Sequence, residues 1–327
     1  MRHVRFALLP ALFVVLISTS LCFVYQRETS MKIKDIFFLD REHNRVEHSD
    51  SKDVFLNKIL SNVESTYKGI CYQIFSGQAA SMAQGWQDWM IYHNHFSDRK
   101  WGDGFYLDIG TNDAKVISNT LFFDKCLGWK GICAEPQEQY HSKIEKERGC
   151  KLVPNCVMGT DRTVRKTSDG VDAKFQEIAR TKSDHTHECL GIKTLSKKYE
   201  FQKIDLVNLD IEGAEAEVLR CWPFNEVNVT MFLVETNKHN LNMVDFFFHQ
   251  KGYVNADTFT NVAGDGKTYF IDNLYVKRSK FYKTPPEDFE CTPEIKEFMG
   301  AWCNAYSTTK ENIEWFGECE ISQSAGR

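Results

Sequence analysis

Residues 104–136 constrain this chain more than any other stretch. A short apolar run closes on Asp108, and a turn follows whose only glycine is Gly110. An apolar-periodic segment comes next, and a second apolar run closes on Glu135. Strand, tight turn, helix and strand make the first βαβ unit of a doubly wound sheet, and ligands of such sheets sit outside the strand ends where these two carboxylates stand. The stretch predicts an α/β, Rossmann-like fold and directs the search for function to that edge.

The rest of the sequence supplies strands and helices in the order this fold needs. Strand patterns cover 105–108, 129–135, 152–157, 204–210 and 229–234, and two more at 253–257 and 268–277 read as a closing hairpin. Helical spacing of apolar residues appears over 54–63, 81–95, 116–126 and 137–148, again after residue 213, and over 241–251, where Gly252 suits the C-terminal cap. Pro154 has no N–H to give to a ladder, which places the third strand at an edge. The predicted sheet order is 3-2-1-4-5-7-6. Residues 160–187 read as a polar insertion, partly helical over 171–179, above the ligand edge. His185 and His187 there read as solvated rather than metal-binding.

The N-terminus is different in kind. Arg2, His3 and Arg5 precede an uncharged run from Phe6 to Tyr25, about 20 residues, the length of a membrane-spanning helix. Two readings stand: an uncleaved signal-anchor helix, or a signal peptide cut near Ser20. The run continues past that cut, which favours the anchor, and either reading sends the following residues into the secretory pathway. The expected organisation is a cytosolic tip and anchor over 1–27, a stem over 28–66, a catalytic-type domain over 67–280 and a cysteine-containing extension over 281–327. The expected location is a Golgi or ER membrane with the domain in the lumen, or secretion if the segment is cleaved.

There are 11 cysteines, and with Cys22 inside the apolar run an even number remains beyond it, as disulfides in an oxidising lumen require. Cys133 and Cys156 fall in strand patterns and read as buried thiols, whereas Cys291, Cys303 and Cys319 read as structural staples. No CxxC pair suggests zinc. A net charge of −5 without a long basic run argues against nucleic acid as the main partner.

The turn after Asp108 lacks the three glycines that admit a pyrophosphate, leaving Gly110 alone for close backbone approach. Glu135 is placed to accept hydrogen bonds from two ribose hydroxyls. A nucleoside held by an acid beside a turn with no phosphate cradle points to S-adenosylmethionine. The same letters also suit a generic βαβ turn with a capping aspartate.

Several motifs together resemble one family. The segments 81–88, 104–113, 118–121 and 127–136, with Leu209, Asp210, Glu212, Gly213 and Glu215, look like the FkbM methyltransferases, over roughly 81–277. The resemblance implies a class I methyltransferase that transfers a methyl from S-adenosylmethionine to a hydroxyl, often on a sugar-containing acceptor. Carried over, it implies that Asp108, Gly110, Thr111 and Asn112 line the methionine end of the cofactor. Glu135, with Pro136 beside it, would hold the ribose, and Asn155 and Cys156 would lie beside the adenine. Ala114 departs from the pattern, which usually has glycine there.

For the transfer itself, Asp210, Glu212 and Glu235 end neighbouring strands on the correct edge, with His239 close behind, and are the expected base or acceptor-holding groups. Glu212 and Glu215 also suit the first turn of a helix, where the dipole favours acids. With Asn237 these acids would also suit a divalent ion, a reading that activity in the presence of a chelator would exclude. Two rival functions remain: a methyltransferase fold kept for cargo or partner binding without catalysis, and a metal-dependent luminal glycosyltransferase using Asp210 and Glu212.

Overall fold

The computed structural model describes residues 49–166, 175–177, 186–236, 241–262 and 268–278. Two compact units divide between Phe55 and Leu56, and the second holds the fold that follows. The predicted membrane segment, the extension over 281–327, His185, Asn237 and His239 lie outside the described residues. Among those described, no helix is long and apolar enough to cross a membrane.

Seven strands form the main sheet: β1 (Phe105–Ile109), β2 (Lys130–Ala134), β3 (Lys151–Val153), β8 (Lys203–Leu209), β9 (Asn228–Thr236), β10 (Tyr253–Val262) and β11 (Thr268–Lys277). Their spatial order is β3-β2-β1-β8-β9-β11-β10, the predicted 3-2-1-4-5-7-6. β3, β2, β1, β8 and β9 run parallel, and β11 is antiparallel to both β9 and β10. β8 is buried at every position after Lys203, because helices cover both faces of a parallel sheet. The register sets Asp108 beside Asn208 on one flank and Cys133 on the other, and it sets Asp272 opposite Glu235.

The third predicted strand breaks at the proline. β3 ends at Val153, and β4 (Cys156–Met158) leaves for a second sheet ordered β4-β7-β5-β6, with β5 at Arg162–Lys166, β6 at Phe175–Glu177 and β7 at Thr186–Gly191. Without an N–H, Pro154 cannot continue the ladder. The insertion therefore carries strands, and Phe175–Glu177, expected to be partly helical, is one of them.

The helices are α1 (Ser49–Leu60), α2 (Ser65–Phe75), α3 (Gln87–Ile91), α4 (Leu121–Lys125), α5 (Glu138–Glu147), α6 (Ile192–Tyr199), α7 (Glu215–Cys221) and α8 (Leu241–Gln250). α3 runs on into a π turn over Tyr92–Phe96. The predicted helix over 81–95 is shorter because Asp88 claims its first turn. That carboxylate accepts from the Ser81 hydroxyl at 2.5 Å and from the Met82 and Trp89 amides at 2.6 and 2.8 Å, and Trp86 turns left-handed at φ 69°. Ile59, Val63, Cys71, Ile74 and Phe75 are buried, so the packed unit begins before Tyr67.

Cys133 and Cys156 are bonded rather than free thiols. The pairs are Cys71–Cys126, Cys133–Cys150 and Cys156–Cys189, and Cys221 is also disulfide-bonded. Cys156 and Cys189 face each other in the β4–β7 register, so that bond staples the small sheet internally.

Candidate active site

A cleft of about 230 Å³ opens at the C-terminal edge of β1, β8 and β9. Its lining combines Asp108, Gly110, Thr111 and Asn112 with Asp210, Glu212 and Glu235, joining the expected cofactor turn to the expected catalytic acids. Gln84, Asn119, Asn208 and Asp272 line it too.

The cofactor turn is laced to its neighbours by backbone bonds. The amides of Gly110 and Thr111 both donate to the Ala134 carbonyl, at 3.0 and 3.2 Å, and the Asp210 amide donates to the Ile109 carbonyl at 3.0 Å. Gly110 sits at φ +88°, and a β-carbon there would collide with the Asp210 carbonyl. The close approach expected of a ligand is thus made by the chain itself. Glu135 secures the turn from β2: one oxygen accepts from the Asn112 amide and the other from the Gln137 amide, each at 2.7 Å. Burial raises the pKa of Glu135, with these amides opposing the rise. Each of its oxygens keeps a further lone pair.

Asp108 is buried and held by side chains from three elements. Thr120 Oγ1 donates to it at 2.5 Å and Asn208 Nδ2 at 2.9 Å, while the Arg148 guanidinium lies 3.8 Å away. Arg148, just past α5, is itself buried. It donates to Asp124 at 2.8 Å, Thr120 at 2.6 Å, and Ser118 and the Tyr106 hydroxyl at 3.2 Å each. A charge-assisted network of this kind, which engages both carboxylate oxygens, fixes the orientation of Asp108.

Two acceptors in the cleft wall are left over. Asn112 Oδ1 and Asn119 Oδ1 are buried and accept no hydrogen bond among the described residues, although Asn119 Nδ2 donates to Asn208 Oδ1 at 3.1 Å. Buried unsatisfied acceptors are uncommon, and a pair in one wall of a cleft fits a ligand that brings donors.

The opposite wall is acidic. Asp210, Glu212 and Glu235 each present an oxygen within 4.8 Å of the others. Burial raises Asp210 well above the usual carboxylate range, although an edge of the residue meets solvent, and the charges of Glu235, Asp272 and Glu212 add to the rise. Burial, with Glu212 and Glu215, pushes Glu235 up to about 7. Asp272 rises to about 6 through burial, opposed by Gln87 Nε2, which donates to it at 2.6 Å. Glu212 occupies a left-handed position at φ 58° in the loop after β8. Glu215 is spoken for: one oxygen accepts the amides of Ile211 and Gly213, each at 3.0 Å, which shapes that loop.

Some expected residues lie elsewhere. Glu135 and Pro136 support the turn from behind and do not line the cleft. Asn155 is half-buried and donates to the Glu188 carbonyl at 2.9 Å, and Cys156 is engaged by Cys189; the structure brings neither to the cleft. Ala114 is buried behind the turn with its carbonyl toward Arg148.

Sequence reasoning missed Asn208, Asp272 and Arg148. The first two carried a signal, a polar residue within an otherwise apolar strand that must find a partner. Arg148 carried none, since a basic residue at a helix end usually reads as a solvated cap.

Residues 108–254 match the family model described as the methyltransferase FkbM domain. Among solved structures, the chain is similar to a precorrin-6y C5,15-methyltransferase from Geobacter metallireducens, with 13% identity, 55% of this chain and 82% of that one covered, and a TM-score of 0.33. It is similar to a putative RNA methyltransferase from Pyrococcus horikoshii at 13% identity, with coverages of 70% and 98% and a TM-score of 0.33. It is also similar to magnesium protoporphyrin IX methyltransferase from Synechocystis with bound SAM, at 8% identity, coverages of 70% and 98%, and a TM-score of 0.34. No curated protein matches. The family match spans both walls of the cleft but excludes Gln84, Gln87 and Asp272.

Proposed function

We propose that this chain is an S-adenosylmethionine-dependent methyltransferase acting on a hydroxyl acceptor, carbohydrate included, in the secretory pathway. The observation that carries the reading is the cleft itself. On one wall stand a clamped Asp108 and two unsatisfied amide oxygens, and on the other a set of carboxylates with raised pKa values. The family match over 108–254 supports methyl transfer as the chemistry.

The residues present fit the cofactor. Asn112 Oδ1, Asn119 Oδ1 and the Asp108 carboxylate are acceptors suited to an amino-acid ammonium. Bound there, S-adenosylmethionine supplies an electrophilic methyl on a sulfonium centre. The chain's own part is to hold an acceptor oxygen in line and to take its proton. Glu235, at about 7, is suited to be that base, since a catalytic pKa near the working pH favours proton transfer. Asp210 and Asp272 beside it offer further acceptors for neighbouring hydroxyls of a polyol. The disulfides fit an oxidising lumen.

Calorimetric titration of the full chain with S-adenosylmethionine tests the binding half. Saturable heat whose affinity falls roughly tenfold or more in Asn119→Ala supports it. An absence of heat in a folded protein favours the cargo-binding alternative, and heat with a uridine diphosphate sugar instead favours the glycosyltransferase. Incubation with mixed glycans and labelled cofactor, with and without a chelator, tests transfer and metal dependence.

A further inference from the structure

A second concavity, of about 400 Å³, lies where β9 and β10 begin and β11 ends. Lys277 is five residues beyond Asp272 on β11, so this groove is about 17 Å from the acidic wall at the usual rise per strand residue. It is lined by three lysines, Lys193, Lys251 and Lys277, and by the rings of Trp222, Phe224 and Tyr253, with Glu226 the only acid among the described lining residues. Lys251 Nζ sits 5.6 Å from the centre of the Phe224 ring, and Lys277 Nζ donates to Asn228 Oδ1 at 2.6 Å. None of the three forms an ion pair among the described residues. Trp222 Nε1 is a buried donor without an acceptor.

Cys221, next to Trp222, is disulfide-bonded. The other described cysteines pair among themselves, as Cys71–Cys126, Cys133–Cys150 and Cys156–Cys189. Of the 11 cysteines, the partner of Cys221 must then come from Cys22, Cys291, Cys303 and Cys319. Three of these lie in the C-terminal segment, which departs from Arg278, one residue past groove-lining Lys277. That segment is acidic, with Glu287, Asp288, Glu290, Glu294, Glu297 and Glu311 among its carboxylates, and it carries aromatic residues such as Phe289 and Trp302.

We infer that the C-terminal segment of this chain is stapled to the domain by a bond from Cys221 to Cys291, Cys303 or Cys319, and that it lies across the groove with its acids against Lys193 and Lys251. Three lysines without an ion pair, aromatic walls and an indole N–H without an acceptor, all among the described residues, complement an acidic, aromatic peptide whose carbonyls accept hydrogen bonds. The covalent tie keeps the segment at high effective concentration over the groove, so modest contacts suffice to hold it there.

The test uses the full chain, unreduced. Trypsin releases Cys221 in the peptide 221–238 and the three candidate partners in separate peptides, 284–296, 297–310 and 311–327, so mass spectrometry identifies the pair directly. The expected result is 221–238 linked to one of these three. A link to Cys22, a link between two chains or a free Cys221 thiol overturns the staple. Carbodiimide cross-linking, which joins amines to carboxylates in contact, reads the groove. Isopeptide bonds from Lys193 or Lys251 to acids of 284–320 in the same chain are expected. Bonds from these lysines only to Glu226, or to another chain, overturn the docking even if the staple stands.

Discussion

The Asp210 carbonyl occupies the space that a β-carbon on Gly110 would need. The turn after β1 and the turn after β8 are thereby pressed together, and the acidic wall is held at a fixed offset from the cofactor turn. Gly110→Ala meets both this collision and the cost of a left-handed backbone for an L-residue, about 1–2 kcal/mol from the backbone alone. The expected outcome is a destabilisation of more than about 2 kcal/mol in denaturant melts. A variant as stable as the parent would show that the two turns are not in contact. Gly110 substitutions therefore report on folding, and cofactor affinity is better probed elsewhere.

Asn119 is such a place. Its Oδ1 has no partner, so Asn119→Ala forfeits only the bond from Nδ2 to Asn208 within the fold, about 1 kcal/mol. Affinity for S-adenosylmethionine should fall roughly tenfold or more, since a hydrogen bond to a charged group is worth about 1.5–3 kcal/mol. Equal loss in Tm and no change in Kd would remove Asn119 from the cofactor site.

Arg148 answers to stability. Arg148→Met removes a buried cation and leaves Asp124 and Asp108 without it. Breaking one side of a buried ion network costs about 3–5 kcal/mol, measurable by urea unfolding. A change below about 1 kcal/mol would mean that the network contributes nothing net.

Glu235 links stability to pH. Its folded value of about 7 exceeds the ordinary 4.5, so between these values the native state holds a proton that the unfolded chain has released. Stability is then greatest below 4.5 and falls as pH rises through about 7. Asp272, at about 6, acts in the same direction. Glu235→Gln should gain Tm relative to the parent on going from pH 5 to pH 8. If Glu235 is the base, kcat/KM of the parent rises with pH to a plateau with a midpoint near 7, and the variant loses about 10²–10⁴ in rate. A flat pH profile together with an active variant would assign the proton to another group.

Reduction separates the staples by loop length. Cys133–Cys150 closes 17 residues and Cys71–Cys126 closes 55. Chain-entropy arguments give about 3 and about 4 kcal/mol respectively. Cys71→Ser with Cys126→Ser should therefore lower Tm more than the pair Cys133→Ser and Cys150→Ser, as read by scanning calorimetry.

The sheet was legible in the sequence because its strands are buried on both faces and read as apolar runs that end in acids. Asp108, Asp210 and Glu235 stand at such ends, and the structure brings them to one cleft. What escaped the sequence was whatever depends on meetings across distance. Asp124 and Arg148 look like ordinary helix-end charges until they meet. The helix expected over 81–95 gave way because one carboxylate, Asp88, offered its opening amides a better arrangement than a regular first turn. Pro154 points correctly to an edge strand, and its missing donor also ends that strand early and sends the chain into a second sheet.

The Gln87–Asp272 hydrogen bond joins residues 185 apart in sequence at the acidic wall. The cleft thus closes only when the segment before the first strand and the last strand of the sheet are both in place. During synthesis, the wall is the last part of the domain to mature, after most of its helices and strands already exist. A product truncated before β11, or one nicked so that β11 is lost, would lack Asp272 from the acidic wall and leave β10 without its partner. Under the proposed function such a product would be inactive for want of Asp272 and its Gln87 bond, whatever the state of the turn after β1.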